Sequence, residues 1–503
     1  MRYSNDREEI LRDKGDIVII AGAGSGKTTI LTRKIEEDIL NNRSHYKIAA
    51  MTFTNKAANE IKSRISIRSK GHYIGTNDGF VENEIIRPFI RDVYGNEYNK
   101  DFEISYSVND KFDSFEFGLL KLRNENKLGT YNNNSKNFKF ELAKQILKKS
   151  KVAKQYIRAK YFKMYIDEYQ DSDKYMHELF MYIKNELKIK LFIVGDIKQS
   201  IYEFRGASPK LLKDLSENEN NGFSKYELIE NFRCTKNIQN YANIVVKRDK
   251  SYYQEVDKVE DVIGIEPIRN NTRYNGINLN NLKLFDLNKE IAILIRYSNW
   301  REEKLAENLK DLLNESGYNF TYIPKAPIEG IETTNKVIFV ELAKYIKNSK
   351  YSIYDFISNL GFDVEGKEIK EIESIIKPLK EVNSNDVNSI LTNLFRFLNT
   401  NVEEKEIELF KDTIENKIYD NSYNGKEFKH KIMTIHSSKG MEFEQVLIYA
   451  NDFIDRDGNF TEDKLHYVAV TRAKSKLIIN LDNTSYINYI SSICNCKKII
   501  KFI

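Results

Sequence analysis

The feature that most restricts the fold of this chain is an apolar run that leads straight into a glycine-rich turn. Residues 17–20 have the composition of a buried strand, and the segment AGAGSGKT at 21–28 follows directly. Glycines let the backbone curl so that its N–H groups point at phosphate oxygens, and a helix beginning near Lys27 adds its positive end. The pattern therefore predicts a phosphate-binding loop that follows a buried strand.

Short β-rich runs separated by helix-length stretches predict an α/β fold with parallel sheets. The runs of the first set lie at residues 16–20, 48–53, 162–167 and 191–194. Those of the second set lie at 226–229, 290–295, 431–435 and 445–449. Each set is interrupted once, at about 84–160 and at about 326–425, by segments of helical pattern that we expect to be insertions.

Bulk composition argues against a membrane protein and against a disulfide-rich one. The 503 residues include 79 Lys plus Arg and 74 Asp plus Glu, a net charge of +5, so a basic track for nucleic acid must be local. No apolar run approaches the ~18 residues of a membrane span, and we expect no signal peptide. Cys234, Cys494 and Cys496 lack the spacing of a zinc site, so we expect unligated thiols and a cytoplasmic setting.

Carboxylates follow the third run of the first set, in the segment YIDEYQD at 165–171. An Asp at a strand end can orient Mg²⁺, and an adjacent Glu can polarise the attacking water. We assign Asp167 to the metal and Glu168 to the general base. Taken alone the segment would be an ordinary acidic loop, but it lies between a phosphate loop and a further polar motif.

That further motif is VGDIKQSIYEFRGA at 194–207, which has a polar end and an aromatic, basic end. Gln199 is placed to sense the γ-phosphate of a nucleotide. Tyr202, Phe204 and Arg205 are side chains of the types that stack on bases and pair with phosphates. We therefore expect this motif to signal the presence of a nucleotide to a DNA site.

Two arginines in the second half of the chain are candidates for stabilising transition-state charge. Arg233 lies in ENFRC at 230–234, and Arg472 lies in YVAVTRA at 467–473. Each arginine alone would be interpreted as structural or as a surface residue. Their occurrence together with the other motifs favours the catalytic interpretation.

Seven motifs in this order resemble those of superfamily 1 helicases of the UvrD, Rep and PcrA group. They are AGAGSGKT, TFTNKAANEI at 52–61, IDEYQD, VGDIKQSIYEFRGA, ENFRC, MTIHSSKGMEF at 433–443 and YVAVTRA. The resemblance implies two RecA-like P-loop NTPase lobes, each interrupted by a mostly helical insertion, with ATP or another NTP and Mg²⁺ in the cleft between them. It implies a first lobe at 1–83 and 161–230 with its insertion at 84–160, and a second lobe at 231–325 and 426–503 with its insertion at 326–425.

Family roles transfer residue by residue onto the matching nucleotide positions. The phosphate-loop positions are Ala21, Gly22, Ala23, Gly24, Ser25, Gly26, Lys27, Thr28 and Thr29. Thr28 joins Asp167 at Mg²⁺. By resemblance, Phe232 stacks on the base and Glu442 lies near the ribose, while Gln199, Arg233 and Arg472 surround the γ-phosphate.

The same transfer predicts a single-stranded DNA site that crosses both lobes. Its positions are Phe53, Thr54, Asn55, Tyr202, Phe204, Arg205, Thr434 and His436. A structural, hydrogen-bonded role for His436 stays open as an alternative. Lys56, Arg64 and Lys439 are either charges that follow the DNA backbone or ordinary solvated charges, and the sequence does not separate the two interpretations.

Departures from the family pattern concern the base and one DNA contact. Asp6 stands where the family has a glutamine that reads adenine, and Thr29 stands where an arginine often covers the base. We therefore expect loose selection among NTPs. In GTNDGF at 75–80, Asn77 and Asp78 replace the expected histidine region, which weakens that DNA contact.

The compact chain and the segment GTNDGFVENEIIRPF at 75–89 are similar to the helicase-like subunit of Gabija antiphage systems. That resemblance implies a separate ATP-binding, OLD-family nuclease as a partner. Two functions stay open at this point. One is an autonomous 3′ to 5′ helicase, and the other is a DNA-sensing NTPase that regulates a bound nuclease.

Overall fold

The computed structural model describes residues 5–67, 71–105, 108–203, 206–247, 253–267, 279–296, 300–330, 333, 335–360, 366–380, 386–398, 400, 402–493 and 499–503. Phe204, Arg205, Cys494 and Cys496 lie outside these described residues. The chain divides into two compact units, residues 1–230 with 332–334 and residues 231–331 with 335–503. The division therefore falls inside the ENFRC motif, between Glu230 and Asn231.

The first unit is built on a parallel sheet. Its strands are β1 (Asp16–Ala21), β2 (Lys47–Thr52), β3 (Tyr73–Thr76), β4 (Glu103–Ile104), β5 (Lys111–Phe112), β6 (Lys127–Leu128), β7 (Thr130–Tyr131), β8 (Tyr161–Ile166), β9 (Lys190–Gly195) and β10 (Phe223–Leu228). Within the described residues, six of them form one sheet in the order β10-β1-β9-β8-β2-β3, and every pairing is parallel. This confirms the predicted α/β class.

One strand belongs to a different sheet from the one that its position in the sequence suggested. The run at 226–229 was expected to open the second set, but β10 pairs along its whole length with β1. That expectation was wrong. An apolar run identifies a strand, whereas its sheet is decided by long-range pairing that periodicity does not contain.

Helices cover both faces of the first sheet. They are α1 (Asn5–Arg12), α2 (Lys27–Asn41), α3 (Asn55–Arg64), α4 (Asn77–Phe80), α5 (Arg87–Tyr94), α6 (Phe115–Glu125), α7 (Phe138–Lys149), α8 (Lys151–Lys160), α9 (Lys174–Leu187) and α10 (Pro209–Glu217), with a π-helix at Val81–Ile86. Ile17 and Ile19 pack with Ile30 of α2 on one face, and Val18 packs on the opposite face. Burial on both faces explains why residues 17–21 of β1 are all apolar.

The segment at 84–160 is helical with two added pairs of short strands, β4 with β6 and β5 with β7. Side chains of Ser114, Asn137 and Ser150 cap α6, α7 and α8 by accepting backbone N–H groups. Phe140 and Ile146 of α7 belong to the same buried cluster as the sheet residues. The segment is therefore part of the core of the first unit.

The second unit contains a second parallel sheet. Its strands are β11 (Val262–Ile265), β12 (Ile291–Ile295), β13 (Phe320–Tyr322), β14 (His430–Thr434), β15 (Phe443–Tyr449), β16 (Ala473–Asn480) and β17 (Lys501–Phe502). In the part of the chain that the structure describes, their order is β13-β14-β12-β15-β16-β11-β17. All of the pairings are parallel, as expected for an α/β fold.

Most helices of the second unit lie in the segment at 326–425. The unit contains α11 (Lys236–Lys247), α12 (Trp300–Glu315), α13 (Pro327–Gly330), α14 (Lys336–Lys347), α15 (Ile353–Leu360), α16 (Gly366–Ile376), α17 (Val387–Phe397), α18 (Glu404–Glu415), α19 (Asp420–Asn424), α20 (Asp463–Val470) and α21 (Thr484–Ile493). Phe339, Leu391 and Phe410 join a buried cluster that is separate from the sheet cluster around Ile293. No described helix is long and apolar enough to cross a membrane.

Candidate nucleotide and DNA site

The phosphate loop is a turn that ends where α2 begins. Gly24 and Gly26 have φ angles of 69° and 79°, a backbone region that favours glycine. Gly26 is the N-cap of α2, whose first residue is Lys27, so the predicted helix start is confirmed. N–H groups at a helix start have no intrahelical partner, and the loop therefore offers several donors to one phosphate.

Lys27 connects this loop to the motif that carries Gln199. Its Nζ lies 3.4 Å from the carbonyl oxygen of Ala21 and 3.8 Å from Oδ2 of Asp196. The same Asp196 oxygen accepts a hydrogen bond from Nε2 of Gln199 at 2.6 Å. The sequence did not assign a role to Asp196, yet this buried carboxylate holds both predicted phosphate contacts.

Asp167 follows the end of β8 and is buried, with Oδ1 accepting the N–H of Glu168 at 2.9 Å. Burial raises the pKa of the Asp167 carboxyl to about 7, the charge of Glu168 adds to the rise, and Lys27 opposes it. A second cation near Asp167 would relieve this cost. The position thus suits a divalent metal ion.

Glu168 adopts an uncommon backbone conformation at the place where a general base is expected. Its φ of 53° lies in the left-handed region, which costs a non-glycine residue of order 1 kcal/mol or more. Its Oε2 accepts a hydrogen bond from Nε2 of Gln170, and Oε1 of Gln170 accepts the N–H of Asp196 at 2.9 Å. Gln170 is fully buried and so joins the carboxylate of Glu168 to the strand end at Asp196.

The second unit places Arg233, Glu442 and Thr471 in contact. Nε of Arg233 donates to Oε2 of Glu442 at 2.8 Å, and Nη1 lies 3.4 Å from the Thr471 carbonyl oxygen. Lys474 pairs with the other oxygen of Glu442 at 3.0 Å. Burial alone would raise the pKa of Glu442, but Lys474 and Arg233 outweigh it, so the pKa lies below its usual value. A backbone turn held by Asn231 presents Phe232, which is 52% exposed.

Arg472 is buried and bonded to backbone carbonyls of its own unit. Its Nε donates to the Val468 carbonyl at 3.0 Å, and Nη1 donates to the Met441 carbonyl at 2.8 Å. Only 1% of its surface is exposed. These contacts fasten α20 to the MTIHSSKGMEF motif, which gives this arginine the structural role that the sequence analysis ranked below the catalytic one.

Three predicted DNA positions of the first unit lie together at the exposed end of β2, where α3 begins. Phe53 follows β2 and is 38% exposed. Thr54 is the N-cap of α3, where its hydroxyl accepts the N–H of Ala57 at 3.2 Å, and Asn55 and Lys56 are exposed beside it. Arg64, at the far end of α3, pairs with Glu60 at 2.7 Å.

The remaining DNA positions differ in how open they are. Tyr202 is partly exposed. Thr434 is buried, and its hydroxyl accepts the N–H of Ser437 at 3.1 Å and donates to Oγ of Ser437 at 2.8 Å. His436 is partly buried in the turn that follows β14. The hydroxyl of Thr434 therefore stabilises this turn.

Asn77 and Asp78, which stand where the family has a histidine, both contact other parts of the first unit. Asn77 is buried, and its Nδ2 donates to the Thr52 carbonyl at 3.1 Å, next to Phe53. Asp78 pairs with Lys139 of α7 at 2.8 Å. Both side chains thus fasten neighbouring elements of the first unit to each other.

Family models match both halves of the chain. A model described as an AAA domain covers residues 8–205, and a model of the UvrD-like helicase C-terminal domain covers residues 328–484. The chain is also 48% identical to the Gabija protein GajB of Bacillus cereus, over 99% of this chain and 100% of that protein. The chain belongs to the GajB family. The resemblance to the Gabija subunit is thereby confirmed.

More distant relatives confirm the resemblance to the helicase group. This GajB-family chain is 25% identical to the ATP-dependent DNA helicase PcrA of Staphylococcus epidermidis, over 95% of this chain and 82% of that protein. The PcrA of Staphylococcus aureus is 24% identical over 94% of this chain and 82% of its own length. UvrD-like helicases and GajB are thus relatives of the same chain.

Three residues of this GajB-family chain contribute to the site without having been predicted. Asp196 and Gln170 lie inside motifs that were recognised, and the position of Asp196 directly after an apolar strand is the signal that points to it. Arg7 is buried beside the phosphate loop, where it donates to the Ser25 carbonyl. The segment around Arg7, RYSNDREE, has the composition of an exposed helix start and gives no such signal.

Proposed function

We propose that the chain is an NTP-driven motor that moves 3′ to 5′ along single-stranded DNA. The observation that carries this proposal is the continuous network of Lys27, Asp196, Gln199, Gln170 and Glu168 at the carboxyl ends of the parallel strands. Such strand ends are where open α/β sheets bind ligands. The direction of movement rests on the relationship to UvrD-like helicases.

In this proposal the first unit performs the hydrolysis. The phosphate loop and Lys27 hold the β- and γ-phosphates, and Gln199 contacts the γ-phosphate. Glu168 accepts a proton from the attacking water. The water oxygen forms a bond to the γ-phosphorus, and the bond between that phosphorus and the β,γ-bridging oxygen breaks. The hydrogen bond from Gln170 would hold the Glu168 carboxylate in one orientation for this role.

The donors around Asp167 suit Mg²⁺. Carboxylate and hydroxyl oxygens are the ligands that this ion prefers, and Asp167 and Thr28 would supply one of each. The raised pKa of Asp167 shows a buried carboxylate whose charge Lys27 only partly offsets. Bound Mg²⁺ would neutralise charge that develops on the phosphates.

The second unit contributes two arginines and the base contact. We propose that Arg233 and Arg472 stabilise charge on the γ-phosphate and that Phe232 stacks on the base. Arg233 would have to leave Glu442 for this role. Its partial exposure makes that exchange inexpensive, because surface ion pairs are worth only about 0–1 kcal/mol.

We propose that DNA lies along Phe53, Thr54, Asn55, Tyr202, Phe204, Arg205, Thr434 and His436. Exposed aromatic rings stack on bases without regard to sequence, each contributing about 1–3 kcal/mol. Gly206 comes close to the first insertion, since a Cβ at this residue would lie 2.6 Å from the Asn134 carbonyl oxygen. Gly206, near the end of the motif, therefore lies against that insertion.

Strand separation by the isolated chain tests the motor proposal. A duplex with a 3′ single-stranded overhang should be unwound in the presence of NTP and Mg²⁺, and a duplex with a 5′ overhang should not. NTP hydrolysis without unwinding of either substrate would contradict the motor.

A second function is favoured by the full-length similarity to GajB. In it the chain is a DNA-sensing NTPase that regulates a partner nuclease of the OLD family in antiphage defence. Stable co-purification with that nuclease, together with hydrolysis but no unwinding, would support this function. Unwinding by the chain alone at full hydrolysis rates would count against it.

A further inference from the structure

We infer that Arg7 is a positioning residue that links the phosphate loop to the segment joining the two units. The inference rests on the proposed NTPase function. Arg7 lies on α1 and is 2% exposed. One arm of its guanidinium, Nη2, donates to the Ser25 carbonyl oxygen, and Nε lies 3.3 Å from Oε2 of Glu230.

The contact with Ser25 orients the loop. In a trans peptide the C=O of one residue and the N–H of the next point in opposite directions. Because Arg7 holds the Ser25 carbonyl on its own side, the N–H of Gly26 points away from Arg7. A Cβ on Gly26 would lie 3.4 Å from Nη1 of Arg7, so the guanidinium packs directly against the turn. Arg7 thereby stabilises one orientation of a candidate phosphate donor.

The contact with Glu230 reaches the end of the first unit. Glu230 is the last residue of that unit before Asn231, Phe232 and Arg233. A second bond runs in parallel, from the N–H of Gly22 to the Leu228 carbonyl at 3.3 Å. The loop is thus tied twice to residues 228–230, once directly and once through Arg7. A shift of the loop on phosphate binding would be passed to the chain that leads into ENFRC.

The simpler alternative is that Arg7 only supports the shape of the loop. A buried guanidinium needs partners for its charge and donors, and Ser25 and Glu230 supply both. The two interpretations differ in the role of Glu230. If Arg7 only supports the loop, weakening the Arg7–Glu230 ion pair should leave the response to DNA unchanged, and if Arg7 links the loop to residues 228–230, it should reduce that response. Its side chain is 45% exposed, so Glu230→Gln should fold, and it weakens the ion pair while leaving the bond to Ser25 in place.

The experiment compares full-length wild type, Glu230→Gln and Arg7→Lys for nucleotide affinity and for the stimulation of hydrolysis by single-stranded oligodeoxythymidine. Glu227→Gln is the matched control, because Glu227 is an exposed glutamate of β10 only three positions before Glu230. For Glu230→Gln we expect stimulation to fall about fivefold, the low end of typical coupling between sites, with nucleotide affinity retained. For Arg7→Lys we expect both quantities to fall, with affinity reduced about tenfold or more.

Wild-type stimulation in Glu230→Gln would overturn the inference, and so would a loss of nucleotide affinity as large as its loss of stimulation. A wild-type chain that hydrolyses NTP without any response to DNA would instead contradict the proposed function itself. A fall in stimulation that is confined to Glu230→Gln and Arg7→Lys, with Glu227→Gln unchanged, would support the role of Arg7.

Discussion

The candidate site residues of the two units differ in how their charges are satisfied. In the first unit, the buried carboxylate of Asp167 has a pKa of about 7 because burial and Glu168 outweigh Lys27. In the second unit, Arg233 is paired with Glu442, and Arg472 is bonded to two backbone carbonyls. In the first set Lys27 only partly offsets the cost of burying Asp167, whereas the charges of the second set have close internal partners.

Arg233 and Arg472 also differ in how exposed they are and in how easily their contacts can be broken. The Arg233 side chain is 20% exposed and its partner Glu442 is 45% exposed, so this pair can open at low cost. Arg472 is 1% exposed, and its withdrawal would remove its donors from the Val468 and Met441 carbonyls. Arg233 can therefore exchange partners more easily than Arg472, which is held by its buried contacts.

The largest effect is expected from Arg233→Met. If Arg233 stabilises γ-phosphate charge, the variant should lose about 10³-fold in the rate of NTP hydrolysis, as removal of such arginines does in related phosphoryl transfers. Its folding stability should change little, because the lost ion pair is partly exposed. Steady-state hydrolysis and urea unfolding measure the two quantities. Loss of stability with normal hydrolysis would reverse the roles given to the two arginines.

Arg472→Met should mainly destabilise the second unit. The Met441 carbonyl would lose the Arg472 donor and the Val468 carbonyl would keep the Thr471 hydroxyl, at a cost of about 1–3 kcal/mol. The single tryptophan, Trp300, belongs to the second unit, so its fluorescence in urea reports on that unit. Arg233→Met is the matched comparison. An unchanged urea midpoint for Arg472→Met would contradict the structural role.

Acid should weaken the second unit through His466. This residue of α20 is buried against Tyr486, with Nε2 and the hydroxyl 2.7 Å apart, and burial lowers its pKa to about 3. Between the usual 6.5 and 3, the unfolded chain binds a proton that the folded chain does not, so this stability is present above pH 6.5 and is lost as the pH falls.

The corresponding variant is His466→Gln. Wild type should lose about 2 kcal/mol more than the variant between pH 7 and pH 5, as followed by Trp300 fluorescence in urea. His45→Gln, an exposed histidine of the first unit, is the control and should behave like wild type. Equal pH dependence in wild type and His466→Gln would show that His466 is not buried in its neutral form.

The smallest expected effect is the difference in hydrolysis between nucleotides with different bases. Asp6 and Thr29 of the first unit lack the family side chains that read the base, which leaves Phe232 as the proposed contact. Stacking discriminates weakly among bases. The ratio of kcat/KM for ATP to that for GTP should therefore stay below about tenfold, since Asp6 and Thr29 do not supply the base contacts of the family. Strict dependence on ATP would reveal a base-reading residue elsewhere.

The sequence predicted the parts of the fold and site that depend on local pattern. The strand before Ala21, the helix start at Lys27 and the strand end before Asp167 all follow from apolar runs and the residues that end them. The sheet membership of β10 did not follow, because pairing with β1 is a long-range property. β13 and β17 are too short for periodicity to show.

The main features that the sequence did not predict are contacts between residues that are far apart in the chain. Arg7 and Glu230 are 223 positions apart, and each alone is an ordinary charged residue. Arg472 was predicted from its motif, but its burial depends on the carbonyls of Met441 and Val468, which no spacing rule supplies. Gln170 was visible inside IDEYQD, yet only the structure shows it between Glu168 and Asp196.

The most direct measurement is NTP hydrolysis by full-length wild type and Glu168→Gln, each with and without single-stranded DNA. Wild type should hydrolyse NTP faster when DNA is present. Glu168→Gln should lose about 10²–10⁴-fold, the usual contribution of a general base, while binding DNA as tightly as wild type does. Glu186→Gln, an exposed residue of α9, is the control. Hydrolysis that survives in Glu168→Gln would contradict the assignment of the hydrolytic site to the first unit's network.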